Sequence, residues 1–392
     1  MQMNVSGQAL VERATTIATR LTGRGAAAEA AGRLPQETIH EVVEAGLMRS
    51  AVPKRFGGLE VDYRFVPGIQ RALGRGCLAT AWTIGIQIQH NYQLGFYSKE
   101  LQEEVWANGP DSFLPGYIIP GGVAKPVPGG YRLSGHWRYG SGFPHGQWIL
   151  LTAFELVAGE KGPPRRFALP IADCTPQNNW QVSGLAATGT WDCVLDDVFV
   201  PAHRSILAAG LLDGSAPGAA LNTGPMWRIP MMPFYYPNMS AMMLGAAEGA
   251  FAIALESNRK RVLSYGGAKA TGIDYVKINT AKNKVRLNAV AALLEAQAVE
   301  VEQTAAASAP FTLEQRTAIR ANCTHVIKEA RAVVSEICDQ AGTSAFMLAA
   351  DLQRYNRELA VLSSHAFYDY DRMTLSYGQV MLEGSLPAGE MA

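Results

Sequence analysis

Charge is scarce in this chain. Only 17% of its 392 residues are Asp, Glu, Lys or Arg, against 48% apolar. So little charge covers a lone monomer poorly, which predicts a homo-oligomer with apolar interfaces. Neither sign dominates: 34 basic and 34 acidic residues leave a formal net charge of +0. That removes the long-range field by which nucleic acid or an anionic membrane would be attracted. Cysteine is sparse as well. Cys77, Cys174, Cys193, Cys323 and Cys338 show no CxxC spacing, so neither a disulfide framework nor a zinc site is expected, and a reducing cytoplasm suits the pattern. No apolar h-region opens the sequence, and the longest apolar stretch, Met239 to Leu255, is interrupted by Glu248. Both facts speak against a signal peptide and a membrane span. Without a global field, function has to come from a local site.

The chain divides by pattern into three parts: residues 1–112 helical, 113–222 a small β domain, and 223–392 a helical bundle of four helices. Leu10, Ala14, Ile17, Ala18 and Leu21 fall at helical spacing. A second helix starts near Pro35, buries Ile39, Val42 and Val43, and stops at Gly46. Ala81, Ile84, Ile88 and Tyr92 form another stripe, with His90 off it; Ser98 with Glu100, Glu103 and Glu104 opens a further helix. After Phe113 short strands take over, with Gly121-Gly122, Pro128-Gly129-Gly130 and Pro163-Pro164 as breakers. His136 and His145 share no ligand spacing with another His or Cys, and both are expected to be solvent-facing or structural. Helices return with MWRIPMMPFYYPNM and a long pattern from Ala241 to Tyr265. Those Met and aromatic residues serve either as core filler or as the wall of a flat apolar pocket. Thr312 and Gln315 make a capping box. A last helix places Leu352, Tyr355, Leu359 and Leu362 on one stripe, with His365 and Asp369 one turn apart on its flank, either a surface pair or an oriented imidazole. The GxGxxA match at Gly74-Arg75-Gly76-Cys77-Leu78-Ala79 lies between helices rather than after a strand, so it predicts no dinucleotide site.

The most informative stretch runs from Gly130 to Phe154. Tyr131, Leu133, Trp137 and Tyr139 alternate with polar residues, the period of a strand with one buried face. Ser141-Gly142-Phe143-Pro144 is a turn, and Trp148 to Phe154 is a second, more buried strand. Ser141 is thereby placed on an exposed corner, either a plain turn residue or a hydroxyl held for a flat cofactor. The loop Gly184 to Trp191 carries Thr188 and Thr190, whose hydroxyls suit a polar ring edge or a phosphate.

Helices, a small β domain and a helical bundle follow the order of the acyl-CoA dehydrogenase fold, and specific residues carry that resemblance. Leu34-Pro35 through Gly46-Leu47, Val52-Pro53 and Phe56-Gly57-Gly58 resemble its N-terminal signature. Leu133-Ser134-Gly135-His136-Trp137 to Ser141-Gly142 resembles its flavin-facing strand and turn, and Thr188-Gly189-Thr190 to Asp196-Asp197-Val198-Phe199-Val200-Pro201 the strand that closes its β domain. Thr80-Ala81-Trp82 leading to His90, the aromatic turn Trp137 to Ser141, and Arg354, Arg357 and His365 make the chain similar to the two-component flavin monooxygenases, relatives of 4-hydroxyphenylacetate and steroid-phenol hydroxylases.

That resemblance implies a mostly α, α+β fold with a small central β-barrel, and an oxygenase component. Such a component uses reduced flavin (FADH2 or FMNH2) and O2, through a C4a-hydroperoxide, to hydroxylate an electron-rich small aromatic or polycyclic substrate. It implies a separate NAD(P)H:flavin reductase and a homotetramer, with no nucleic acid or membrane partner. His90, Ser141 and His365 are the implied catalytic residues. Trp137, Tyr139, Ser141, Thr188, Thr190 and Arg259 are implied to bind flavin, Arg259 in a neighbouring subunit. His90, Tyr117, Met231, Phe234 and Tyr235 are implied to meet substrate. Arg357-Glu358 departs from the usual Arg-Asp of the helix motif, and Gly116-Tyr117 stands where some relatives place a phenol-contacting serine. Two other readings stand beside this one: an acyl-CoA dehydrogenase-type oxidoreductase, for which Glu256 is the nearest candidate base, and a non-catalytic helical scaffold.

Overall fold

A computed structural model describes residues 5–263, 266–387 and 390; Tyr265 lies outside them. Five helices come first: α1 (Gly7–Ala31), α2 (Gln36–Glu44), α3 (Phe65–Gly76), α4 (Leu78–Leu94) and α5 (Lys99–Val105). Ser6 and Ser98 accept backbone N–H groups at the starts of α1 and α5, and Gly32 ends α1 in the left-handed region. The stripe read on α1 is buried. Helix α4 differs from the stripe expected of it: all its residues except Ile86 are buried, so it is a central helix with contacts on every side.

The strands are β1 (Gly116–Val127), β2 (Gly130–Gly140), β3 (Trp148–Val157), β4 (Glu160–Pro170), β5 (Thr175–Gln177), β6 (Trp191–Pro201) and β7 (Ser205–Leu207). They form one sheet in the order β5-β6-β2-β1-β3-β4-β7. The sheet has two edge strands, β5 and β7, where the resemblance implied a small β-barrel. Its pairs are antiparallel except β1 with β3. Leu133 and Trp137 of β2 face the sheet's own core as predicted, but Tyr139 does not: a register shift between Trp137 and Gly140 leaves it at φ 75 and 58% exposed. A bulge of this kind re-aims a side chain, here toward the open end of the sheet.

After α6 (Ala209–Asp213) the chain enters α7 (Met231–Lys260), α8 (Asp274–Ala306), α9 (Leu313–Ala341), α10 (Asp351–Ser363) and α11 (Tyr370–Glu383). Five long helices thus follow the sheet, one more than the bundle of four. The capping box of Thr312 and Gln315 opens α9. Helix α7 is long and apolar enough to cross a membrane, yet it is the core helix of this fold, with most of its apolar window buried. Pro237 within it has no N–H for the carbonyl of Pro233. Tyr63 answers that defect: its hydroxyl donates to the carbonyls of Pro233 at 3.1 Å and Phe234 at 2.7 Å. Where α3 crosses α7, a Cβ on Gly74 would meet the carbonyl of Met242, and one on Gly245 the carbonyl of Arg71. The glycines of the GxGxxA match therefore serve helix packing. One apolar core joins the N- and C-terminal helices, and a second lies within the sheet.

Candidate active site

A cleft enclosing roughly 650 Å³ of atom-free space opens where α4, α7, the start of β1, the end of β2 and the segment after α10 meet. Helix α4 presents Trp82, Ile86 and His90, spaced by four and therefore on one face. Helix α7 adds Tyr235 and Met239 by the same spacing, β1 adds Gly116 to Ile119, and β2 ends in Arg138, Tyr139 and, just beyond, Ser141. His365 and Phe367 close the far side. Among the described residues no carboxylate lines the cleft and no cluster could hold a metal ion.

The two histidines are fixed in opposite tautomers. His90 Nδ1 lies 2.5 Å from the carbonyl of Leu114. A carbonyl only accepts, so Nδ1 carries the proton and Nε2 keeps a lone pair. Burial, followed by the charge of Arg166, lowers the His90 pKa to about 3, and the ring stays neutral under working conditions. Gly116 leaves its edge uncovered, because a Cβ there would sit 2.6 Å from Nε2. His365 is reversed. Its Nδ1 accepts the backbone N–H of Phe367 at 3.2 Å, so Nε2 bears the proton and is a donor. Part of the residue is exposed at the cleft mouth, but the rings of Trp82, Phe367 and Tyr368 packed around the imidazole desolvate it and keep its pKa below the usual value.

Ser141 is buried, only 6% exposed, rather than set on an exposed corner. Trp82 Nε1 donates to its Oγ at 2.9 Å, and Oγ lies 2.8 Å from Thr190 Oγ1. Thr190 in turn is 2.6 Å from Thr188 Oγ1, which donates to the Leu185 carbonyl at 2.8 Å. An indole can only donate and a carbonyl only accept. The direction of the whole chain follows: Ser141 donates to Thr190, Thr190 to Thr188, and Ser141 keeps one lone pair for a ligand. Gln87 braces this corner, donating to the Ser141 carbonyl at 3.2 Å while accepting from Leu114 N–H at 2.5 Å.

Two family models match, "Acyl-CoA dehydrogenase, N-terminal domain" over residues 8–108 and "Acyl-CoA dehydrogenase, C-terminal domain" over residues 238–370. The chain is 27% identical over 369 residues to the flavin-dependent monooxygenase oxygenase subunit HsaA of Rhodococcus jostii, covering 94% of this chain and 97% of that protein. It is 28% identical over 370 residues to the p-hydroxyphenylacetate 3-hydroxylase oxygenase component of Acinetobacter baumannii, covering 94% and 87%. The crystal structure of 3-HSA hydroxylase from Rhodococcus superposes with a TM-score of 0.92 at 27% identity, over 97% of this chain and 98% of that one. This chain belongs to the two-component flavin-dependent monooxygenase oxygenases with acyl-CoA dehydrogenase domains.

In this oxygenase the cleft brings together His90, Tyr117, Tyr139, Ser141, Tyr235 and His365, with Thr190 and Thr188 directly behind Ser141. Other residues singled out in the sequence stand elsewhere. Trp137 is fully buried in the sheet core, its Nε1 donating to the Thr152 carbonyl at 2.6 Å, and it has no face toward the cleft. Phe234 is fully buried and stacked on Tyr92, and Met231 takes an N–H from Gln93; both are core residues one layer behind the wall. Arg259 lies outside this cleft, 64% exposed at the end of α7 and paired with Glu256. Asp369 does not orient His365, because α10 ends at Ser363 and Asp369 caps α11 through Arg372 N–H at 3.0 Å. His136, paired with Asp192 at 2.9 Å, and His145, half-buried, both lie outside the cleft lining. Sequence reasoning missed Ile86, Met239, Arg138 and Phe367. The first two were legible as fourth neighbours of His90 and Tyr235; the last two depend on a bulge and a helix break.

Proposed function

We propose that this oxygenase component hydroxylates a phenol-type aromatic substrate at the cleft between α4, α7 and the head of the sheet. One observation carries the proposal: a neutral acceptor, His90 Nε2, and a neutral donor, His365 Nε2, border one cleft that has no carboxylate on its wall among the described residues.

The residues present fit a flavin. Trp82, Ile86, Met239 and Phe367 offer apolar faces for a flat ring, and Ser141 a lone pair for a polar edge that bears N–H, as the reduced ring does. When bound, reduced flavin supplies activated oxygen from O2. His365 holds a proton at Nε2, where it donates a hydrogen bond to a developing oxygen charge. His90 accepts the substrate hydroxyl at Nε2, orienting the ring and drawing electron density toward the carbon to be oxidised. Met239, Ile86 and Phe367 exclude water. A separate reductase supplies the reduced flavin, FADH2 or FMNH2; Arg259, exposed at the end of α7, would serve a flavin phosphate in a neighbouring subunit of a homotetramer.

A dehydrogenase reading needs a carboxylate base at the substrate carbon. Glu256 is half-exposed and paired with Lys260 and Arg259 on the surface, which disfavours it. Mixing the protein with reduced flavin, a panel of phenols and oxygen-18 gas tests the proposal. Heavy oxygen in a hydroxylated product is expected. Unlabelled product, or bleaching of oxidised flavin by an acyl-CoA, would overturn it.

A further inference from the structure

Three side-chain amides meet at the seam of α3, α4 and α7, one layer behind the wall that Tyr235 and Met239 present to the cleft. Gln70, Gln89 and Asn238 are each 0% exposed. Gln70 Oε1 and Met242 Cε meet at Gly85 of α4, where a Cβ would lie 2.6 Å from the first and 2.8 Å from the second. Gln89 stands one turn after Gly85 on α4, and Asn238 one turn before Met242 on α7. The two helices run antiparallel here, since Tyr235, earlier in α7, donates through Oη to the carbonyl of Gln89, later in α4, at 3.2 Å. One turn from the crossing at Gly85 and Met242 therefore brings Gln89 and Asn238 side by side, next to Gln70.

Their hydrogen-bonding capacity is unspent. Both polar atoms of Gln70, both of Gln89 and Oδ1 of Asn238 have no partner among the described residues. Asn238 cannot turn to help the others. Its Nδ2 donates to the Phe234 carbonyl at 2.7 Å, which accepts Tyr63 Oη as well, and a flipped amide would set oxygen against oxygen. Unmet hydrogen bonds at all of these buried atoms would cancel stability on the scale of a whole domain's reserve, so the seam has to hold a partner for them. Three uncharged amides suit no ion. An apolar molecule would leave them as they are. The partner they call for is small and neutral, and it both donates and accepts.

We propose that this seam is an internal water site, in which about two ordered water molecules bridge Gln70, Gln89 and Asn238, each making about three hydrogen bonds. Asn238 Oδ1 accepts a water hydrogen, while the two Gln Nε2 groups donate to water oxygens. Gly85 gives the room, because any side chain there would displace the Gln70 amide. The waters tie α3 and α7 to α4, the helix that carries Trp82 and His90, without entering the cleft. The site is independent of which flavin or phenol the cleft takes.

High-resolution diffraction from crystals of the intact protein tests this, together with oxygen-17 relaxation dispersion of the same protein in solution, which counts long-lived waters. Density peaks are expected at the seam, each within hydrogen-bond distance of at least two of the three amides. The combined variant Gln70→Leu/Gln89→Leu, which nearly conserves side-chain volume, is expected to lose about two long-lived waters. If that variant does not fold, the diffraction decides alone. Amides bonded directly to one another or to backbone, with no density between them, would overturn the proposal. So would an unchanged water count in the folded variant. Either failure would leave the hydroxylase reading standing, since no part of that reading uses these side chains.

Discussion

Gly116 and His90 act as a pair, one giving the room that the other uses. Adding a Cβ at Gly116 covers His90 Nε2, so Gly116→Ala is expected to weaken substrate binding about tenfold, a loss of about 1.4 kcal/mol, and to leave flavin affinity unchanged. Separate equilibrium titrations with flavin and with substrate check this. His365 stands in a short turn outside the α10 stripe, so its removal should not unfold the protein. Losing its donor to a charged oxygen costs about 1.5 to 3 kcal/mol, enough to divert oxygen to hydrogen peroxide roughly tenfold or more at about 1.4 kcal/mol per decade. Peroxide yield and product yield, measured together in His365→Ala, report it. Asp369→Asn should not uncouple at all, since Asp369 serves α11 and asparagine caps a helix as well. The spacing of four between His365 and Asp369 read as a helical pair; the break after Ser363 was not visible because Ser364 and His365 carry no proline or glycine signal. Arg166 was equally hidden. Two adjacent arginines in a strand must face opposite ways, but which one turns inward is set by pairing with β3 and β7.

Helix starts that rest on caps were legible in the sequence, as α5 and α9 show, and so was the buried stripe of α1. What packs on what was not, because α4 is apolar on every side and offers no periodicity to choose a face. Two contacts between elements make testable claims. Tyr63 supplies the donor that Pro237 denies to α7, so Tyr63→Phe should destabilise the fold by about 1 to 3 kcal/mol, seen as a lower denaturant midpoint with an unchanged slope. Glu358 of α10 is 2% exposed beside Arg354 and the start of α4, and burial raises its pKa from 4.5 to about 7 despite that arginine. Between those values the folded protein holds a proton that the unfolded chain has lost. Stability contributed by this group is therefore full below pH 4.5, falls as pH rises toward 7 and is flat beyond, a total of about 3 kcal/mol at about 1.4 per unit. Glu358→Gln should remove that slope, and unfolding midpoints at pH 5 and pH 8 would show an unaltered slope if another group were responsible.

For the molecule as a whole, the reductase must be a different chain. Gly74 and Gly76 are occupied by contacts with α7 and α1, so no dinucleotide cradle exists there, and the pure protein with flavin should not consume NADH. An absorbance assay at 340 nm checks this, and steady consumption by a reductase-free preparation would contradict it. The crossing of α3 and α7 has one more consequence. Its backbones touch through glycines, and Arg71 and Arg75 clamp Glu248 of α7 between them, so the two helices cannot slide to widen or narrow the cleft floor. Descent with altered substrate taste would then be written in the rim, at Ile118, Ile119 and Phe367, while the floor is inherited unaltered: a directed-evolution library aimed at those three positions should yield new specificities far more often than one of equal size aimed at the helix seam.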